Sequence, residues 1–232
     1  MKTIVLEKEE SLRLAAGRIA QLLAEKPDAV LAFSTGRTMR ALFAALAARR
    51  AEGGLSLERA TVFAVTEFEG ADEEQSARTQ LVKELVETTD LPLENCRFLS
   101  AETAERYEEE IAACGGLDLA VLGLGVNAHI GYNEPAVPFD SRTHRQKLTD
   151  KTRAQLAEQF GSAEAAPAYA WTMGVKTLVS ARQILVLAYG EEKARAVFQM
   201  LYARDDSVIP AAFLQIPPEV TVLVDPAAAQ KL

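Results

Sequence analysis

Short, continuous apolar segments alternate along this chain with longer segments in which apolar positions recur every three or four residues. The first pattern predicts buried strands, and the second predicts amphipathic helices that pack on them. Strands are predicted at residues 30–33, 61–65, 119–122, 184–188 and 220–224, with a weak one at 96–99. Helices are predicted at residues 9–25, 38–50, 74–87, 103–113, 151–160, 175–180, 191–203 and 208–214.

This alternation of strands and helices predicts an α/β fold in which helical crossovers connect parallel strands. We expect a Rossmann-like three-layer sandwich with a mostly parallel central sheet. No linker, repeat or low-complexity run interrupts the pattern, so residues 1–232 are predicted to form a single domain. Ligands of such sheets bind beyond the carboxyl ends of the strands. Functional residues are therefore expected in the loops after Phe33, Val65, Leu122 and Ala188.

The excess of acidic over basic residues argues against partners that carry many negative charges. The chain has 25 Lys and Arg against 33 Asp and Glu, a formal net charge of −8. Nucleic acids and anionic membrane surfaces attract basic proteins, so neither is an expected partner. Charged residues at positions 7 to 10 preclude a signal peptide, and no apolar run approaches the ~20 residues of a membrane-spanning helix. Only two cysteines are present, without C-x-x-C spacing, which favours a reducing cytoplasm.

The loop after the first predicted strand is a candidate phosphate site. It reads Ser34-Thr35-Gly36-Arg37-Thr38 and leads directly into a helix. Free backbone N–H groups at a helix start, with the positive end of the helix dipole, suit a phosphate. The alternative is that the hydroxyl residues only cap the helix and Gly36 only makes the turn. The local sequence supports both interpretations equally.

The segment after the strand at 119–122 is the most informative. It reads Gly123-Leu124-Gly125-Val126-Asn127-Ala128-His129-Ile130-Gly131-Tyr132-Asn133-Glu134-Pro135. His129 is one of two histidines, and a histidine at the end of a buried strand, followed by a carboxylate, suits proton transfer. The alternative is a structural histidine with glycines that serve packing. The strand-end position favours the catalytic interpretation.

This segment resembles the G-x-G-x-D-G-H-I-x-F-N-E-P signature of the glucosamine-6-phosphate deaminase/isomerases, whose relatives include the 6-phosphogluconolactonases. The resemblance extends over nearly the whole chain. The loop at 34–38 is similar to the family's P-T-G-x-T phosphate loop. Further matches in the family's order are Ser141-Arg142-Thr143, Thr172-Met173-Gly174-Val175, Gly190-Glu191-Glu192-Lys193-Ala194 and Phe213-Leu214-Gln215.

The resemblance implies a modified Rossmann fold and the conversion of an amino-sugar phosphate to a ketose phosphate and ammonia, with no cofactor and no metal. Moving a carbonyl from C1 to C2 needs one base for the C2 proton and one acid/base that opens the sugar ring. By resemblance, His129 opens the ring and Glu134 is its partner. Lys193 and the loop Ser34, Thr35, Gly36, Arg37 and Thr38 bind the phosphate. Otherwise, Glu134 caps a turn and Lys193 is a solvated helix residue.

Several residues depart from the family pattern. The family's N-x-D-E-Y segment is Ala64-Val65-Thr66-Glu67-Phe68 here, so a threonine replaces the usual base aspartate. Asn127 replaces the aspartate of D-G-H, which removes a charge beside the histidine. Glu158 stands where many members have a phosphate-binding arginine, and a carboxylate there repels a phosphate.

Some neighbouring residues offer compensation. Glu67 can replace the base only if a bulge turns it towards the cavity, since adjacent strand residues face opposite sides. Arg37 stands where many members have a small residue and adds a cation to the phosphate loop. Arg142 and Arg145 are additional candidate anion contacts.

Three functions follow from these observations. The first is a divergent isomerase/deaminase that acts on a small-molecule sugar phosphate. The second is a sugar-lactone hydrolase similar to the 6-phosphogluconolactonases, because opening a lactone needs a histidine to activate water and no C2 base. The third is a non-catalytic sugar-phosphate-binding protein. A homo-oligomer is left open.

Overall fold

The computed structural model describes residues 1–203 and 208–232. The strands are β1 Lys2–Val5, β2 Val30–Phe33, β3 Thr61–Ala64, β4 Thr66–Phe68, β5 Cys96–Arg97, β6 Leu119–Gly123, β7 His144–Lys147, β8 Tyr169–Thr172, β9 Gln183–Ala188 and β10 Val220–Val224. The α-helices are α1 Lys8–Glu25, α2 Arg37–Ala51, α3 Ala77–Leu81, α4 Tyr107–Ala113, α5 Asp150–Phe160, α6 Val175–Val179 and α7 Ala194–Tyr202. Short 3₁₀ turns are Glu73–Gln75, Leu93–Asn95, Ala104–Arg106, Glu191–Lys193 and Pro210–Gln215, and a π-helical turn, Val82–Val86, follows α3.

Within the described residues the central sheet has seven strands in the order β1-β10-β9-β6-β2-β3-β5, and every pair is parallel. Helices cover both of its faces. Alternate residues of β2 show this arrangement, since Leu31 and Phe33 pack with α1 and α2, whereas Val30 and Ala32 pack with α4, α6 and α7. The predicted three-layer α/β sandwich with a mostly parallel sheet is confirmed.

A small antiparallel sheet of order β4-β8-β7 stands beside the carboxyl ends of the main sheet. It is continuous with β3, because only Val65 separates β3 from β4. Phe68 and Ala170 of this sheet pack with Phe160 of α5 in a separate apolar cluster. The small sheet therefore turns Thr66, the first residue of β4, towards the edge where ligands are expected.

The predicted helices at 9–25, 38–50, 151–160 and 175–180 are confirmed to within one residue at each end. The predicted strand at 61–65 is confirmed to within one residue, and the chain leaves the main sheet at Val65. The predicted helix at 74–87 is broken into three pieces, because the Ser76 side chain caps α3 by accepting from Thr79 N. The segment predicted as a helix at 208–214 is a 3₁₀ turn that begins at Pro210. Strands β1, β4, β7 and β8 were not predicted.

In the described residues, no helix combines the length and the apolar character that crossing a membrane requires.

Candidate active site

A cavity of about 850 Å³ lies at the carboxyl ends of the main strands. Its walls come from the residues that follow β2, β6, β9 and β10, from Thr66 at the start of β4, and from side chains of α3 and α5. Of the residues predicted from the sequence, it brings together Ser34, Thr35, Gly36, Arg37, Thr38, Thr66, His129, Glu158 and Lys193. The predicted position of the site is thus where the structure has its cavity.

One end of the cavity is formed by the loop between β2 and α2. Gly36 has a φ of 98°, in the left-handed region that favours glycine, and this turn lets α2 begin at Arg37. No side chain caps this end of α2 among the described residues. Ser34 Oγ is buried and has no hydrogen-bond partner in that part of the chain. A buried hydroxyl and the open start of a 15-residue helix together form a site for an anion.

The side chain of Gln80 in α3 holds this loop in place. Its Oε1 accepts from Gly36 N at 2.8 Å, and its Nε2 donates to Gly36 O at 3.1 Å. The same Nε2 donates to Glu84 Oε2 at 2.9 Å. Both polar atoms of the Gly36 backbone are therefore bound to one side chain, which orients the loop before any ligand arrives.

Lys193 adds a cation to this end of the cavity. It ends the 3₁₀ turn after Gly190 and is half-buried. Its ammonium has no hydrogen bond or ion pair within residues 1–203 and 208–232. Burial lowers the pKa of Lys193 below the 10.5 of an ordinary lysine; nearby Glu192 opposes this shift and Arg37 adds to it. A desolvated cation without an ionic partner is suited to an anionic ligand.

Arg37 and Glu158, which both depart from the family pattern in charge, meet at this cavity. Arg37 Nη1 donates to Glu158 Oε2 at 3.0 Å, so the first residue of α2 is joined to the last turn of α5. Both side chains are about three-quarters exposed, at 72% and 74%. Such an exposed pair contributes little stability. Its effect is local, because Arg37 neutralises the carboxylate that was expected to repel a phosphate.

His129 lies deeper in the cavity, with its ring across Gly125. A Cβ atom on Gly125 would stand 2.4 Å from His129 Cδ2 and Nε2, so only glycine permits this ring position. Nδ1 faces inward, 3.3 Å from Thr152 Oγ1. Nε2 has no hydrogen-bond partner among the described residues and is not sealed off from solvent. The ring thus presents one free nitrogen to a ligand.

Glu134 stands behind the ring, 2% exposed, with Oε2 at 3.7 Å from His129 Nδ1. The same oxygen accepts from Asn127 Nδ2 at 2.6 Å and from Thr149 Oγ1 at 3.2 Å. Burial raises the pKa of Glu134, but the bonds and charge of His129 and the bonds from neighbouring groups outweigh it, so the pKa lies below its ordinary value. An ionised Glu134 favours the tautomer with the proton on Nδ1, which leaves Nε2 as a base.

Thr66 lines the cavity and is 5% exposed. It stands where the sequence resemblance predicts the family's base aspartate. A threonine hydroxyl does not remove a proton from carbon at neutral pH. The predicted position of the base therefore holds a neutral side chain.

Three predicted residues lie away from the cavity, in addition to Asn127 and Glu134 behind the histidine. Glu67 was considered as a replacement base, but its carboxylate accepts from the backbone N–H groups of Phe68, Ala77 and Arg78, so it caps the start of α3. Burial raises the pKa of Glu67 despite these bonds. Arg142 was a candidate anion contact, but its side chain points to Glu108, with Nη1 and Oε2 4.0 Å apart. Arg145 pairs with Glu69 on the small sheet.

The structure adds three residues that the sequence did not indicate. Thr152 contacts His129 Nδ1, and Gln80 holds Gly36. Tyr132 lines the cavity and packs edge-on against His129, with ring centroids 5.7 Å apart. The signal for Tyr132 was present, because it replaces the phenylalanine of the family's signature. No local pattern marks Thr152 or Gln80.

Comparisons with known proteins show the family of this chain. The family model for glucosamine-6-phosphate isomerases/6-phosphogluconolactonase matches residues 8–223. A glucosamine-6-phosphate deaminase of Bacillus velezensis is 38% identical over 230 residues, which cover 95% of each chain. The solved structure of a monomeric glucosamine-6-phosphate deaminase superposes with a TM-score of 0.96 at 32% identity and covers 100% of both chains.

A more distant solved structure shares the fold alone. The 6-phosphogluconolactonase of Leishmania guyanensis superposes with a TM-score of 0.78 at 18% identity, over 100% of this chain and 98% of that one. The family model covers most of the chain, and the Bacillus velezensis deaminase matches it over 95% of its length. This protein belongs to the glucosamine-6-phosphate isomerase/6-phosphogluconolactonase family.

Proposed function

We propose that this chain is an isomerase/deaminase that converts a hexosamine 6-phosphate to a ketose phosphate and ammonia. One observation carries the proposal. A single cavity holds His129 backed by ionised Glu134, together with two polar groups that lack partners in the described chain, Ser34 Oγ and the ammonium of Lys193. The relatives named glucosamine-6-phosphate deaminase support the substrate class.

The two ends of the cavity match the two ends of such a substrate. The phosphate binds at the start of α2, where backbone N–H groups, Ser34 and Lys193 converge and where the helix dipole favours negative charge. The sugar ring then extends towards His129, whose free Nε2 exchanges protons with oxygens on C1. Transfer of the C2 proton to C1 of the opened sugar then gives an iminium at C2, to which water adds as ammonia leaves. The net oxidation level of the sugar is unchanged, so no redox cofactor is required.

Removal of the proton from C2 is the step for which this cavity is least equipped. Thr66 occupies the position where the family has its base, and general bases contribute roughly 10² to 10⁴ in rate. We therefore propose slow deamination compared with members that keep the aspartate.

The test is ammonia release from saturating glucosamine 6-phosphate. We expect slow release by the unmodified protein and a fall of about 10²-fold or more in the His129→Gln variant. The matched control is His144→Gln, because His144 bonds to Arg142 O and Gln146 on β7, outside the cavity. The absence of release above blank, or equal rates for both variants, would refute the proposal.

A second candidate function is the hydrolysis of a sugar-phosphate lactone. The neutral side chain of Thr66 favours it, because water activated by His129 attacks a lactone carbonyl without any C2 base. Acid production from 6-phosphogluconolactone, with no ammonia from glucosamine 6-phosphate, would establish it. Calorimetric binding of both ligands without turnover would instead identify a non-catalytic sugar-phosphate-binding protein.

We also propose that the chain works as a single copy in the cytoplasm. The solved structure that superposes with a TM-score of 0.96 is of a monomeric deaminase, which supports a single copy. Cys96 and Cys114 are both free thiols, which suits a reducing compartment. Light scattering should give a mass near 25.2 kDa, and a stable dimer at assay concentration would contradict the single-copy proposal.

A further inference from the structure

We propose that the main net activity of this site is the interconversion of the α and β anomers of pyranose 6-phosphates, with or without an amine at C2. The inference rests on the proposed substrate class and concerns which half of the proposed reaction the residues can complete. It follows from an imbalance in the cavity. The histidine that opens the sugar ring is held in place by its neighbours, whereas the base that would remove the proton from C2 is missing.

The ring-opening half is intact. His129 is held by Gly125 beneath the ring and by Thr152 and Glu134 at Nδ1, while Nε2 faces the cavity. Glu134 is itself held by Asn127 and by both the backbone and the hydroxyl of Thr149. The imidazole is thus fixed in orientation and tautomer, and a buried anion stabilises its positive charge when it takes a proton.

The carbon-deprotonating half has no free carboxylate on the cavity side of His129 among the described residues. Thr152 and Tyr132 contact His129, and Thr66 lines the same cavity; all three side chains carry a hydroxyl. Burial raises the pKa of the Tyr132 hydroxyl well above its usual range, and the charges of Glu134 and Glu67 add to the shift. Tyr132 is therefore a hydrogen-bond donor and not a base.

The carboxylates that do line the cavity serve other roles. Glu84 is bound to Arg40 and Gln80, and Glu158 is bound to Arg37. Asp225 accepts from the backbone N–H groups of Gly190 and Ala228. The remaining two, Glu74 and Glu192, are exposed at the rim.

Anomer exchange needs only the residues that open and close the sugar ring. Neutral Nε2 takes the proton of the C1 hydroxyl, the oxygen's electron pair forms the C1 carbonyl, and the bond from C1 to the ring oxygen breaks. The ring oxygen leaves with that bond's electron pair and receives the proton from the imidazolium. Rotation about the C1–C2 bond presents the other face of the carbonyl, and the same steps in reverse close the ring. No proton, electron or co-reactant is consumed.

One imidazole nitrogen suffices because both exchanging oxygens are bonded to C1. The C2 substituent takes no part in these steps. The activity should therefore extend to glucose 6-phosphate, which has a hydroxyl at C2 and releases no ammonia. Phosphate recognition by Ser34, Lys193 and the start of α2 still restricts the substrates to 6-phosphates.

The experiment is two-dimensional exchange NMR of the anomeric protons of glucosamine 6-phosphate and glucose 6-phosphate, with ammonia measured on the same samples. We expect anomer exchange with both sugars, at least 10²-fold faster than ammonia release. His129→Gln should lower the exchange by 10²-fold or more, and Glu134→Gln should lower it by about tenfold. Retained binding of inorganic phosphate shows that each variant is folded. Methyl glucoside 6-phosphate, which cannot open, is the matched substrate control.

The outcomes separate the two proposals. Exchange no faster than the uncatalysed rate, or unchanged in His129→Gln, overturns this inference. Ammonia release at a rate equal to anomer exchange also overturns it and leaves the proposed deaminase function intact. Exchange without ammonia supports the inference and refutes the deaminase function.

Discussion

At the scale of single residues, charge placement decides what this site can do. Asn127 donates to Glu134 at 2.6 Å, so the amide found here stabilises the carboxylate that supports His129. An aspartate at this position, as in the family's signature, would place a second carboxylate beside Glu134 and raise the pKa of one of the two. The two departures therefore differ, since Asn127 keeps a hydrogen bond to the carboxylate behind His129, whereas Thr66 places a neutral hydroxyl where a base is predicted.

Lys193 gives a prediction with a defined pH dependence. A lysine is charged below its pKa, and the pKa of Lys193 lies below 10.5, so its charge is lost earlier than that of an ordinary lysine as pH rises. We expect the KM for the sugar phosphate to rise on the alkaline side, below pH 10.5. Lys193→Arg should move this rise to higher pH, because arginine stays charged.

Lys193→Met serves as the comparison. It should raise the KM about tenfold or more at neutral pH and remove the alkaline rise altogether. Steady-state kinetics across the pH range measures all three proteins. An alkaline rise that persists unchanged in Lys193→Met would show that another group causes it.

At the scale of elements, the phosphate loop depends on a helix that is distant in sequence. Gln80 of α3 binds both polar atoms of the Gly36 backbone, and Glu67 caps the start of the same helix through Ala77 and Arg78. Glu67 therefore supports the site from outside the cavity, by fixing the helix that positions the loop.

Truncation of the Gln80 side chain tests the role of α3 in holding the phosphate loop. Gln80→Ala removes two hydrogen bonds to Gly36, each contributing about 1 kcal/mol, and should weaken binding of inorganic phosphate about tenfold. Gln21→Ala is the control, because the Gln21 side chain bonds to Glu25 on the exposed face of α1, away from the cavity. Calorimetric titration with phosphate measures both. Equal affinities for the two variants would show that the loop holds its conformation without Gln80.

Much of the fold, but less of the site, was predictable. Buried strands and long helices have periodic apolar positions, which mark them in the sequence. Strand β7 reads His-Arg-Gln-Lys and carries no such pattern, and the departure of the chain from the main sheet at Val65 occurs within a continuous apolar run.

His129 and Glu134 were predictable because they lie within one loop at a strand end. Thr152 and Gln80 were not, since they reach the cavity from separate helices, 23 residues from His129 and 44 residues from Gly36. Contacts of this kind depend on how helices pack on the sheet, and no local sequence pattern records that packing.

At the scale of the whole molecule, the two edges of the sheet have different roles. The carboxyl edge holds the cavity, and the amino edge holds Asp118, which precedes β6. Asp118 is buried and accepts from Val30 N, Lys26 Nζ and Arg182 Nη1. It ties three segments of the molecule together, about 15 Å along β6 from the cavity.

Asp118→Ala tests this division. Loss of the shared acceptor leaves Val30 N buried without its partner and should lower the free energy of unfolding by about 2 kcal/mol. The turnover per folded molecule should stay the same. Urea denaturation and kinetics measure the two quantities, and a loss of turnover in the folded variant would contradict the separation of the two edges.

The central claim is that the cavity keeps its phosphate site and ring-opening histidine and lacks only the base for the C2 proton. The most direct measurement is the rate of ammonia release from glucosamine 6-phosphate by Thr66→Asp and Thr66→Asn, with Asn127 retained in both. Aspartate and asparagine have the same shape, and only aspartate is a base. We predict that Thr66→Asp releases ammonia at least tenfold faster than the unmodified protein and that Thr66→Asn does not. Equal rates for the two variants, or a lower rate for Thr66→Asp than for the unmodified protein, would contradict the claim.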